Sequence, residues 1–197
     1  VVALRRSEHM RMTAIVGRVS PPVRAFLDVL AIAAALVFLA LIVHPAYEFA
    51  HDELVITTPA LEITNAWRAA ALPVGSALML LIAVMRLLET GSWRHILAAL
   101  AVIAVGIGIL VALQPVLFEL DNENLLIFFV GIVALNVFAG VPIAFAFGLA
   151  TYGYLAITTM IPMTAIVGRI DEGMSHLILL SVPLFVFLGL LIEMTGM

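Results

Sequence analysis

The chain has 197 residues, of which 64% are hydrophobic and 11% charged, with a mean hydropathy of +1.23 and a net charge of −4. A soluble domain is about half apolar and about a quarter charged, so a protein of this size has too little interior for its apolar surface, and lipid is the remaining sink. There is no cysteine and all nine basic residues are arginine, which excludes disulfide frameworks, thiolate metal sites and cysteine nucleophiles, and leaves no basic stripe for nucleic acid.

The sequence opens on Val1-Val2, shows no charged stretch followed by a short apolar run and a small-residue cleavage site, and stops inside an apolar segment at Met197. It reads as a piece of a larger protein, cut at both ends. A transmembrane helix needs about 20 mostly apolar residues. The first candidate runs from about Ala25 to Tyr47, after a start signal at Ser20-Pro21-Pro22, since proline is tolerated in a first turn. The second runs from about Trp67 to Leu88, and the third from about Ile96 to Phe118. The fourth starts near Leu125, is interrupted at Gly140-Val-Pro142, and resumes from Ile143 to about Ile157. The last starts near Leu177 and contains Pro183.

The separators are polar: Ala46–Asn65, Glu89–His95, the acidic Glu119–Asn124, and Pro162–His176. An open sheet cannot cross a bilayer with unpaired edges, and the alternating strands of a barrel are missing. The expected fold is therefore all-α, a polytopic transmembrane helical protein with about five spans.

Arginine bias gives the spans a direction. Arg5, Arg6, Arg11, Arg18 and Arg24 precede the first span, Arg86 and Arg94 bracket the second turn, and Arg169 precedes the last span. The positive-inside rule then places these segments, including Pro162–His176, in the cytoplasm, with Arg68 alone outside. The alternation closes only if Leu125 to Ile157 crosses once, with a bend at Gly140–Pro142 or a steep tilt. Trp67, Trp93, Tyr47 and Tyr154 sit at expected span ends, where amphipathic rings prefer the interface. The heptapeptide Met12–Arg18 recurs as Met163–Arg169. Chance in a biased composition and two equivalent surface helices both explain it.

Polar residues at membrane depth are costly and often functional. Asn136 is read as an interhelical hydrogen bond before a substrate contact. Glu193 is read as lying at the outer surface before an ion site. Arg24 and Asp28 are spaced for a local ion pair. His44, Glu48 and His51 have metal-ligand spacing on one helical face, but beside Pro45 and Asp52 they read as a polar helix end rather than a zinc site. His9, His95 and His176 are isolated. Gly106-Ile-Gly108 lies in an apolar helix, where small residues permit close packing, and is no phosphate loop. No nucleophile elbow occurs. The pattern therefore supports no enzyme, with no catalytic, cofactor or metal residue to name. Pro73-Val-Gly75-Ser76, Gly140-Val-Pro142 and Pro183 each free backbone groups that neighbours must satisfy, as in broken transporter helices or in merely kinked packing.

Gly140-Val-Pro-Ile-Ala-Phe-Ala-Phe-Gly148, Val182-Pro-Leu-Phe-Val-Phe-Leu-Gly189 and Glu193-Met-Thr-Gly196 resemble the start of the large permease subunit (DctM-like) of the tripartite ATP-independent periplasmic (TRAP) transporters. Thr58-Pro-Ala-Leu-Glu-Ile63 and Ala66-Trp-Arg-Ala-Ala-Ala-Leu-Pro-Val-Gly75 resemble the last part of the small subunit (DctQ-like). The resemblance implies a fused permease. Residues 1–90 would be the end of the small unit, 91–124 a linker with an extra transmembrane helix, and 125–197 the start of the large unit. In the family it resembles, the small unit ends in the cytoplasm and the large one begins outside, so a fusion would need the crossing that Ile96–Phe118 supplies.

The resemblance further implies sodium-coupled import of organic acids, often carboxylates such as C4-dicarboxylates, across the bacterial inner membrane. A periplasmic binding protein would deliver the substrate, and the large subunit would move it by an elevator-like mechanism. The family's sodium and substrate sites lie in re-entrant hairpins beyond Met197, so no substrate-binding residue is assigned. The role left for this piece is scaffold, and the outward segment Ala46–Asn65, the longest outward loop and rich in acidic residues such as Asp52, Glu53 and Glu62, is expected to help dock the binding protein. The rivals are an ABC-type or other permease subunit, with Pro162–His176 as its coupling helix, and a non-transporting membrane scaffold.

Overall fold

A computed structural model describes residues 20–58, 62–90, 92–120 and 123–195. The first heptapeptide copy and Arg5, Arg6, Arg11 and Arg18 lie outside the described residues. The chain is all-α, as expected for a polytopic membrane protein. Among the described residues there is no strand, only one antiparallel bridge between Thr57 and Thr64.

Helix α1 spans Pro21–Asp52. Its prolines occupy the first turn, where the missing N–H would have no partner anyway, and Arg24 N–H donates to the Ser20 carbonyl (3.0 Å). At 1.5 Å per residue α1 is about 48 Å long, more than the ~30 Å of a hydrocarbon core. A short turn α2 (Ala66–Ala69) leads into α3 (Ala71–Thr90), and α4 follows at Trp93–Ala112. The third expected span breaks at Leu113. A separate helix α5, Gln114–Glu119, carries Pro115 in its first turn.

Among the described residues three helices are long and apolar enough to cross a membrane: Pro21–Val55 with its last 3-10 turn, Ala66–Glu89, and Trp93–Ala112. In the first, 44% of the most apolar window is buried, against 17% and 11% in the others. Helix α1 is therefore the central post. Alanines make this possible: Ala31, Ala33, Ala34 and Ala35 are buried on α1, and small residues let helices approach closely in lipid. One face of α1, with Val29 and Ala33, packs on Leu87 of α3 and on Ile96 and Ala99 of α4. Another, with Phe38, Leu39 and Ile42, packs on the helices that follow residue 123.

The segment expected to make one bent crossing folds back on itself instead. It forms helix α6, Glu123–Phe138, wound as a π-helix over Leu126–Ile132, then α7, Ile143–Thr158. The two lie antiparallel. Tyr154 on α7 meets Phe128 and Phe129 on α6 (ring centroids 5.8 and 6.0 Å), and Gln114 reaches the Ile157 carbonyl (3.5 Å). Each arm is 16 residues, about 24 Å.

The reversal has a local cause. Gly140 sits at φ 87°, a region closed to most L-residues. Gly140 N–H donates to the Val137 carbonyl and Val141 N–H to that of Asn136, both at 3.0 Å. This is the Schellman closure of a helix C-terminus. Pro142 cannot continue α6, and its carbonyl instead accepts from Phe145 and Ala146 N–H to start α7. The turn is buried at Gly140, Val141 and Pro142, as non-helical backbone at membrane depth must be.

Helix α8, Thr164–Met174, is amphipathic and lays Ile166 and Val167 against the end of α1. Helix α9, Leu177–Thr195, contains Pro183 and is almost wholly exposed along its described side chains.

Candidate functional site

The residues with chemistry gather at one end of the bundle. The other end is marked by Phe26 against His95 (6.5 Å, edge-on), where the starts of α1 and α4 meet. At the far end, α1 leaves the bundle through a 3-10 turn, Glu53–Val55, into a loop closed by the Thr57–Thr64 bridge. Thr58 N–H donates to the Ile63 carbonyl (2.9 Å), and Glu62 adopts φ 54°.

A chain of polar contacts starts in this loop. Asn65 donates from its amide to the Glu53 carboxylate and accepts from Arg68 Nε (3.0 Å). Arg68 Nη1 then reaches across 103 residues of sequence to both Asp171 oxygens, at 2.9 and 2.8 Å, and to Ser175 Oγ at 2.8 Å. The Asp171 side chain is only 13% exposed, that of Arg68 48%. Arg68, Asp171, Glu172, Ser175 and His176 line a shallow depression of about 590 Å³. Every carboxylate oxygen of Asp171 is taken up by a guanidinium, so the depression is a closed ion pair rather than an open anion site.

This geometry corrects the expected orientation of Pro162–His176. Asp171 and Ser175 share an end with Arg68 and the 53–65 loop, away from Arg86 and Arg94. The reason is the return at Gly140–Pro142, which brings the chain back to the end where α6 began. Arg169 therefore joins Arg68 at that end, paired on its own helix with Glu172 (2.7 Å).

The other candidates are placed as follows. Asn136 does not bond between helices. Its amide donates to the Ile132 carbonyl (2.8 Å) on its own helix, at the last residue of the π segment, where widened winding changes which carbonyls are paired. His44 and Glu48 approach to 3.6 Å on the exposed side of α1, and His51 lies by the Tyr47 ring (6.4 Å). Among the described residues no group of three His, Cys, Asp or Glu is placed to hold a metal ion. Gly106 and Gly108 face open space instead of a close neighbour. Ser76 donates to the Pro73 carbonyl (3.1 Å) in the first turn of α3. Glu193 is exposed on α9. Trp67, Trp93 and Tyr47 are exposed, whereas Tyr154 is held inside the α6–α7 pair.

Three participants carried no sequence signal. Ser175 is one polar residue in a polar turn. Asn65 could be seen only as a loop residue. Asn124, 3% exposed, ties α6 back to the Leu117 carbonyl of α5, and within the acidic 119–124 segment it looked like solvent-facing sequence.

Two family models match the chain. One, described as tripartite ATP-independent periplasmic transporters, DctQ component, matches residues 1–92. The other, described as tripartite ATP-independent periplasmic transporter, DctM component, matches residues 129–197. No curated protein and no solved structure matches. Arg68 falls within the first match, and Asp171 and Ser175 within the second.

Proposed function

The chain belongs to the tripartite ATP-independent periplasmic transporters, with a DctQ region and a DctM region in one polypeptide, and on that premise we propose that it is the anchoring part of a sodium-coupled importer of organic acids. In this reading, a periplasmic binding protein delivers the acid to the bacterial inner membrane. Residues 1–90 are the end of the small unit, 91–124 the linker with its extra crossing α4, and 125–197 the start of the large unit. No residue of the chain is assigned to sodium or substrate.

One observation carries the proposal: the two transport-family regions pack on each other through α1. Phe38 of α1 meets Phe145 of α7 edge-on (6.0 Å), and Phe49 of α1 lies by Gly168 of α8. A central, well-buried helix shared by both regions suits a fixed support for a moving part. The ABC-type rival loses its coupling helix. Helix α8 lies opposite the end with Arg86 and Arg94, and the positive-inside rule makes that latter end cytoplasmic.

The loop after α1 suits docking. Asp52 at the end of α1 and Glu62 in the loop are exposed, while Glu53 is engaged by Asn65. Uptake of a labelled C4-dicarboxylate into vesicles carrying the complete transporter, with its binding protein, tests the function. The expected result is uptake that needs a sodium gradient and not ATP. Uptake that needs ATP and ignores sodium would overturn it. Charge reversal at Asp52 and Glu62 is expected to weaken binding-protein affinity, and unchanged affinity would remove the docking role.

A further inference from the structure

We propose that Arg68 is a positioning residue that pins α8, and with it the outer end of the DctM region, onto the DctQ region. The proposal stands on geometry and does not depend on what is transported.

Helix α8 has an apolar and a polar way of being held. Its apolar face, with Ile166 and Val167, rests on the end of α1. That contact is small: α8 has 11 residues, and Gly168, which faces Phe49, offers no side chain to grip with. Where acyl chains can cover the same face, apolar contact between helices also gains little from exclusion of water, because those chains are as apolar as leucine. Apolar packing alone therefore leaves α8 free to slide or lift.

Among the described residues, the polar contacts from the end of α8 to the DctQ region run through Arg68. Its guanidinium holds Asp171 in the last turn of α8 and Ser175, the residue that caps its end, from a single nitrogen, and uses Nε to hold Asn65. Asn65 is in turn tied to Glu53 at the end of α1. Arg68 is thus braced on its own side before it reaches across. A braced donor loses less freedom on pairing than a free one. The Asp171 side chain is only 13% exposed, so removing the arginine leaves a carboxylate with little solvent and without this partner. By contrast, the Arg169–Glu172 pair is exposed and internal to α8, and holds nothing else.

The chain has no cysteine, so a single engineered thiol reports one place. Val167 is 1% exposed at the α1–α8 contact, and Val167→Cys changes volume little. The readout is the rate at which a water-soluble maleimide modifies this thiol in the complete chain in membrane vesicles. With Arg68 present the rate is expected to be slow. Arg68→Ala should raise it about ten-fold, the factor that about 1.4 kcal/mol gives. The exchanged pair Arg68→Asp with Asp171→Arg should bring it back towards the starting rate. Ser175→Ala should raise it by a smaller factor, and Arg169→Ala should leave it unchanged.

Equal rates with and without Arg68 would overturn the proposal. So would an exchanged pair that stays as reactive as Arg68→Ala, because Arg68 would then act through something other than Asp171. If Arg68→Ala fails to reach the membrane, Ser175→Ala carries the test, and no change there would also overturn it.

Discussion

Gly148→Ala would probe the contact that joins the two regions through α1 and α7. A Cβ built on Gly148 lies 2.6 Å from Phe38 Cε2 and 2.7 Å from Cζ. Ordinary carbon contacts are about 3.5–4.0 Å, so the ring must retreat by about 1 Å. It has little room. Phe38 is 9% exposed and stands edge-on to Phe145. Overpacking of this kind costs about 1–3 kcal/mol, and for a chain of this size each kcal/mol lowers the melting midpoint by about 2–4 °C. The substitution should therefore lower the midpoint by about 2 to 12 °C. The assay is thermal unfolding of the tagged chain in detergent, followed by loss of a monodisperse peak. With Phe38→Leu in place the ring edge is gone, and Gly148→Ala should then be neutral within about 0.5 kcal/mol. An unchanged midpoint in the single variant, or a loss that persists beside Leu at position 38, would refute the packing described.

Gly140→Ala should destabilise by about 1–2 kcal/mol, because φ 87° is forced there by the Schellman closure. Thermal unfolding checks it, and a neutral result would mean that the turn has another form. Gly106→Leu and Gly108→Leu on α4 should cost no more than about 0.5 kcal/mol of stability, since both positions are exposed and no atom beyond their own helix backbone lies within 4 Å of a Cβ there. A large loss in the same melt would show a helix packed there. Asn136→Ala should cost about 1 kcal/mol or less, the worth of one hydrogen bond within its own helix. Coupling to a residue on another helix, measured by a double-mutant cycle, would contradict that placement.

The helices were legible because lipid imposes a simple rule on composition. Ser20-Pro21-Pro22 marked the start of α1, and runs of about 20 apolar residues marked α1, α3 and α4. The family-like segments around Ala66–Gly75 and Gly140–Gly148 fall inside the two matched regions. What hydropathy could not separate was a kink from a reversal at Gly140-Val-Pro142. Both need a glycine and a proline, and the outcome depends on the φ of Gly140 and on where the freed N–H groups of Gly140 and Val141 find carbonyls. The excess length of the segment pointed to a bend, and two 16-residue arms account for it.

That one turn also explains the orientation error. Counting arginines treats each loop separately, whereas the side on which Arg169 lies follows from the path of the chain before it. In the sequence Arg68 stands out only as the exception to the charge bias. Its partner Asp171 is 103 residues away, and no local pattern links them. Asn136 was read as a bond between helices because a polar residue in a span needs a partner. The π-wound turn before it supplied one on the same helix.

The most direct test of the shared end is sidedness. Ile56 in the loop after α1 and Glu172 on α8 are both exposed, and cysteines placed there one at a time can be labelled with an impermeant maleimide on intact and on opened cells. The return at Gly140–Pro142 predicts that both thiols react from the same, outer face. Labelling of position 56 from outside and of position 172 only after the cells are opened would contradict it.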